Sequence, residues 1–179
     1  MITRPGESNE LEVRALSAGA ELMCLAARTA PKARGADNVC AAVVTGPEKA
    51  QLAAQMRAIA ETENAPFFAR DAANVEAAPV VVVLGTRLQR MNLPACGLCG
   101  FADCDQNAAA GAQCIFPAHD LGIAIGSAVA VAAAHHADNR VMFSVGVAAL
   151  RLNLLGDDVR LAFGVPLSAT GKSPFFDRK

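Results

Sequence analysis

The chain has 179 residues and a mass of 18.4 kDa, a length that fits one domain, or one domain with a small insert. Apolar residues make up 53% of it and its mean hydropathy is +0.30, which supplies a sizeable core and excludes disorder. Lys and Arg number 16 against 17 Asp and Glu, for a net charge of -1, and the aromatic residues are eight Phe with no Trp or Tyr; this excludes the basic excess and the base-stacking platform of a nucleic-acid binder.

The polar segment Met1 to Glu10 holds no apolar signal core. Ser8 is placed to cap a helix that begins near Asn9, with Leu11, Ala15, Ala18, Leu22 and Leu25 as its apolar face. The pattern stops at Arg28, before Pro31, and residues 29–39 read as a polar, basic loop. A short β run spans Cys40 to Thr45. Thr45 and Glu48 have capping-box spacing, with Pro47 in the first turn, and a helix to about Glu63 follows with Leu52, Met56 and Ile59 inward. Residues 64–78 read as irregular. Pro79 opens a strand of four consecutive valines, Val80 to Val83, whose lack of alternation predicts a central strand buried on both faces.

Residues 86–117 break the pattern and read as an insert. A helix is expected from about Ala118 to His136. Its longest apolar run, Leu121 to Ala134, is 14 residues, short of the about 20 a bilayer needs, so it predicts a fully buried helix. Asp138-Asn139 signals a turn. A second helix runs from Arg140 to Leu155, ended by Gly156-Asp157, and a strand from Val159 to Val165 is closed by Pro166. The tail is polar apart from Phe175-Phe176. Alanine, at 39 residues, lets helices approach closely or line a cavity. The organisation expected is residues 1–85 as the first part of an α/β (α+β) core, 86–117 as a Cys-rich insert, and 118–179 as the helical pair, last strand and tail of the same core. A soluble, cytoplasmic protein without a membrane or nucleic-acid partner is expected.

Chemistry concentrates in the insert. Of six cysteines, Cys96, Cys99, Cys104 and Cys114 fall within 19 residues, spaced C-x2-C-x4-C-x9-C. In a reducing compartment such a cluster reads as a metal site rather than a disulfide framework. Gly97 and Gly100 give the backbone freedom to turn amides toward sulfur. With no His in the segment and only one C-x2-C knuckle, a [4Fe–4S] cluster is favoured over structural zinc, which stays as the alternative. Cys24 and Cys40 sit in apolar periodic context and read as small core residues.

The run Ala95-Cys96-Gly97-Leu98-Cys99-Gly100-Phe101-Ala102-Asp103-Cys104 resembles the C-G-x-C-G-x-x-x-C iron–sulfur segment of ferredoxin-domain proteins. Together with Ala27 to Asn38 and Pro166 to Phe176, it makes the chain similar to an uncharacterised ferredoxin-domain-containing family over roughly residues 8–178. That resemblance implies a cluster at the four cysteines and no settled reaction. A second resemblance is to the nitroreductase-like flavoprotein fold. It rests on Ala30-Pro31 to Asn38 before Ala41 to Thr45, on Asp120 before Ile123-Ala124-Ile125, and on Gly164-Val165-Pro166 at the last strand. It implies a sandwich of helices and a mixed sheet, FMN, and a homodimer paired through long central helices. The fold's Arg-Arg-Ser-x-Arg phosphate motif has no counterpart here.

On that basis Arg28, Lys32, Arg34 and Asn38, with Gly35, are candidates for a flavin phosphate. The competing reading is a basic turn that complements the preceding helix C-terminus. His135 and His136 suit a helix C-terminus. His119 could serve the cluster as hydrogen-bond or proton donor, but spacing alone does not select it. Thr170-Gly171-Lys172-Ser173 is not a nucleotide triphosphate loop, because Pro166 stands where that motif needs Gly. The expected activity is electron transfer through [4Fe–4S], with a redox partner protein or a small electron acceptor. A flavin-linked reductase is the enzymatic form of that reading. A non-enzymatic module with structural zinc or a structural cluster is the alternative.

Overall fold

The computed structural model describes residues 9–176. In chain order the elements are α1 (Asn9–Thr29), a 3-10 turn (Ala33–Gly35), β1 (Val39–Val44), α2 (Gly46–Thr62), α3 (Pro66–Ala77), β2 (Val80–Thr86), α4 (Cys104–Ala109), α5 (Ile115–Ala134), β3 (Asp138–Asn139), α6 (Phe143–Arg151) and β4 (Leu161–Ser168). The sheet order is β1-β2-β4-β3. Every pairing among the described residues is antiparallel, where a mixed sheet was expected; the α+β sandwich itself stands.

The valine run explains the layering. Every residue of β2 is buried. Val80, Val82 and Leu84 face a core formed with α1 and α5, and Val81 and Val83 face a second core formed with α2, α3 and α6. Each such valine contributes about 1.5–3 kcal/mol relative to an exposed one, and no polar residue could stand at either face without a partner. On the second side, α6 lies directly on β4: a Cβ built on Gly146 would stand 1.8 Å from the Ala162 carbonyl oxygen. Two helices end on lysines from elsewhere in the chain. Lys32 Nζ donates to the Arg28 and Ala30 carbonyls at the end of α1, at 2.6 and 2.9 Å. Lys49 Nζ donates to Val75, Glu76 and Ala78 at the end of α3, and burial lowers the pKa of its ammonium.

Several expectations need correction. Residues 64–78 are not irregular. Asn64, in the left-handed region (φ 51), separates α2 from α3, in which Phe68, Ala72 and Val75 are buried at helical spacing behind Pro66 in the first turn. Thr45 makes no side-chain cap bond. The two residues 138–139 form a short edge strand on β4. α6 stops at Arg151 because Asn153 takes a left-handed conformation (φ 56), with Asn153 N–H to Leu150 and Leu154 N–H to Ala149, a Schellman ending earlier than Gly156. β4 continues through Pro166, opposite Val81, to Ser168. Ser8 lies outside the described residues.

The largest correction concerns α1 and α5. The stripe Leu11, Ala15, Ala18, Leu22, Leu25 is not the inward face: Leu11, Leu22 and Leu25 are 39, 41 and 59% exposed, while Leu16, Ala20, Met23 and Ala27 are buried. Helix α1 is apolar on two sides, and bulk did not decide which side turned inward. Helix α5, at 20 residues, is long and apolar enough to cross a membrane. It is not buried all round: Leu121, Ala124, Ala128 and Ala132 face α1 and the sheet, whereas Gly122, Gly126, Ala130 and Ala133 are exposed. The tail is anchored by Phe175, 2% exposed, whose carbonyl accepts from Arg140 at 3.0 Å. Cys24 packs against the first core and burial, then Glu21, raises its thiol. Cys40 is half-buried on β1.

Candidate metal centre

The four clustered cysteines come together. Cys96, Cys99, Cys104 and Cys114 all line one small recess of about 20 Å3, with Arg90, Gly97, Asp103, Asn107 and Ile115 completing the wall. Local backbone chemistry brings them there. Gly97 and Gly100 take φ values of 60 and 87, closed to most side chains, and the Gly100 N–H donates to the Gly97 carbonyl at 3.0 Å. That bond makes the turn carrying Cys96 and Cys99, so the Gly100 amide is spent on the turn and is not directed at sulfur. Cys104 opens α4, whose cap Asp103 accepts from the Gln106 N–H at 2.8 Å. Cys114 is the N-cap residue of α5, at the end of a 20-residue helix that fixes its backbone.

Two residues that sequence reasoning missed hold the halves of this site together. Asn107 is 1% exposed. Its Oδ1 accepts from Arg90 Nε at 2.8 Å and its Nδ2 donates to the Gln113 carbonyl at 3.1 Å, while its backbone carbonyl accepts from Ala112 N–H. Arg90 Nη2 also donates to the Ala112 carbonyl at 3.1 Å. The α4 helix carrying Cys104 is thereby tied to the loop that delivers Cys114. The only sequence trace of this is an Asn one helical turn after Cys104, which no motif rule selects. Among the described residues, no three His, Cys, Asp or Glu side chains are close enough to hold a single metal ion. A tetrahedral zinc with Zn–S of about 2.3 Å needs its sulfurs about 3.8 Å apart; here the thiols ring a recess.

The basic loop is placed differently from the expectation. Arg28 pairs with Asp37 at 2.6 Å in solvent. Lys32 caps α1, and Arg34, at φ 56, donates to the Met91 carbonyl at 2.7 Å. The Ala33 N–H goes to the buried Asp120 carboxylate at 3.0 Å. Asn38 is 7% exposed and its Nδ2 has no partner among the described residues. The loop thus stitches α1 to α5 and to the entry of the insert: Arg28, Lys32 and Arg34 are each engaged within the chain, while the Asn38 amide is left without a partner among the described residues. His119 is largely exposed, 3.5 Å from Asp120 through Nδ1, and does not line the recess. Beside the insert lies an open groove of about 400 Å3 lined by Arg87, Leu88, Gln89, Gln113, Asp158 and Arg160. In it Arg87 hydrogen-bonds Asp158 and holds that carboxyl below its usual range.

A family model described as uncharacterized protein containing a ferredoxin domain matches residues 110–178, which take in Cys114, α5, α6, β4 and the tail. An uncharacterized protein of Archaeoglobus fulgidus is 40% identical over 165 residues, covering 88% of either chain. The chain belongs to one family with this Archaeoglobus fulgidus protein, and its C-terminal part is similar to the ferredoxin-domain model. The fold extends further. The nitroreductase CinD from Lactococcus lactis, solved with nicotinic acid, superposes with a TM-score of 0.60 at 14% identity, over 93% of this chain and 82% of that one. A putative nitroreductase from Desulfovibrio desulfuricans, solved with FMN, gives 0.59 at 13%, over 91% and 79%. Nitroreductase A from Vibrio parahaemolyticus gives 0.56 at 18%, over 88% and 60%. The chain thus spans about three fifths of the length of that last structure. At these identities the likeness is one of fold.

Proposed function

We propose that the chain is an electron-transfer protein whose Cys96, Cys99, Cys104 and Cys114 hold a [4Fe–4S] cluster. The observation that carries this is the convergence of all four thiols on one recess. The donor set is soft sulfur alone, and its spread around a recess suits a multi-iron core better than one zinc ion. Such a cluster supplies one-electron transfer. The chain contributes the rest. The Gly97–Gly100 turn sets two ligands, the start of α5 positions Cys114, and Asn107 keeps Cys104 and Cys114 in register. Leu98 and Ile115, both exposed, form an apolar rim where a redox partner protein or a small acceptor would approach. A reducing, cytoplasmic setting suits this chemistry. Anaerobically purified protein should hold about four irons and four sulfides per chain; stoichiometric zinc without sulfide refutes the reading in favour of a zinc-stapled module.

A flavin-linked reductase is the second reading, favoured by the fold neighbour solved with FMN and by the unpartnered Asn38 Nδ2. It requires Arg28 to exchange Asp37 for a phosphate, which costs little because an exposed pair of this kind contributes less than about 1 kcal/mol. Fluorescence titration of FMN into cluster-loaded protein tests it, and no quenching at tens of micromolar, by order of magnitude the weak end of specific binding, removes it. A homodimer is proposed with either reading: the outward faces of α1 and α5 are apolar and adjacent, and the bare Gly122 and Gly126 allow a second helix to approach closely.

A further inference from the structure

Five arginines of the described chain pair with a carboxylate: Arg28, Arg57, Arg70, Arg87 and Arg151. Arg90 makes no such pair among the described residues. Its guanidinium is fixed instead by two neutral oxygens, Asn107 Oδ1 at 2.8 Å and the Ala112 carbonyl at 3.1 Å, and it is the one cation on the wall of the four-cysteine recess. The carboxylate on that wall, Asp103, is engaged with a helix amide.

We infer that Arg90 sets the reduction potential of the proposed cluster, an inference that rests on the cluster reading above. Reduction adds one negative charge inside the recess, taken from the electron donor, with no bond made or broken in the protein. A positive charge held at the wall favours the reduced state over the oxidised one, so it raises the potential. The fork of bonds to Asn107 and Ala112 holds the charge there without neutralising it. A lysine would carry the same charge but not the planar double bond.

The test is an anaerobic redox titration followed by electron paramagnetic resonance, with iron and sulfide assayed on every sample. Arg90→Gln protein that holds iron should show its midpoint shifted to more negative values by at least a tenfold change in the reduction equilibrium, about 59 mV for one electron. Arg90→Lys should show less than half that shift. A loaded glutamine variant with the wild-type midpoint overturns this inference and leaves the cluster reading intact. Wild-type protein without sulfide overturns both. If the glutamine variant loses its iron, the lysine variant decides. A loaded lysine variant near the wild-type midpoint upholds the role of charge, whereas loss of iron there too, or a large negative shift, makes Arg90 a structural clamp and refutes the inference.

Discussion

Replacing Asn107 by alanine should loosen the metal site while leaving the α/β core in place. The side chain makes one bond from a charged donor, Arg90, and one to the neutral Gln113 carbonyl. A bond to a charged group contributes about 1.5–3 kcal/mol and a neutral one about 0.5–1.5. Because Arg90 is open to solvent on one side, the lower part of that range applies to it, and the sum comes to about 2–3 kcal/mol. Little of this energy joins α4 to the sheet, since α4 has no extensive packing against any other element. The cost therefore falls on the conformation that presents Cys104 and Cys114 together. At 1.4 kcal/mol per factor of ten, metal retention should weaken roughly 30- to 150-fold. Anaerobic competition with an iron chelator, followed by absorption near 400 nm as an order-of-magnitude guide to the cluster band, measures this. Urea unfolding of the metal-free protein should be unchanged. An unchanged chelator midpoint, or a drop in core stability of the same size, would refute the reasoning.

The cysteines divide into two sets. Cys99→Ala should bleach the cluster, whereas Cys24→Ala and Cys40→Ala should leave its spectrum intact and cost about 1 kcal/mol in packing; equal bleaching from Cys24→Ala would mean that the ligands are misassigned. Gly146→Ala should destabilise the protein by about 1–3 kcal/mol or more, because the new methyl meets the Ala162 carbonyl and α6 must lift off β4; an unchanged thermal midpoint would contradict the close approach. Light scattering at micromolar concentration should give a dimer mass, as order-of-magnitude usage for such interfaces suggests, and Gly126→Glu should give a monomer; a monomeric wild type ends the dimer reading.

How much of this could be read beforehand differs by element. The valine run was legible because two-sided burial needs apolar residues at every position, and the gathering of four cysteines in one recess was legible from their close spacing in the chain. The inward face of α1 was not legible: Leu11, Leu22 and Leu25 are larger than Ala20 and Ala27, yet the small side chains turn inward because they let α5 come close. The same trade hid the outward face of α5. Helix α3 was hidden by reading Phe67-Phe68 and the Asn residues as irregular, although Pro66 and the spacing of Phe68, Ala72 and Val75 carried the signal. The basic loop was the hardest case. Three cations in seven residues say nothing of where they point, and two of them turn back to carbonyls of the chain itself. Asn107 and Arg90 act through contacts 17 residues apart, beyond any local pattern.

The independence of α4 from the layers also bears on how the protein is made. The two cores and the sheet close without a residue of the four-cysteine recess among their buried side chains. The insert, in contrast, is secured chiefly by a handful of polar bonds at its own ends. A segment of this kind opens at a small fraction of the free energy that unfolding the whole chain requires. On the cluster reading proposed above, the scaffold can fold first, and iron and sulfide can be delivered afterwards to a segment that opens without unfolding the two cores. On that reading maturation is a late and repeatable event, and a lost centre can be rebuilt on the same molecule without a new round of synthesis.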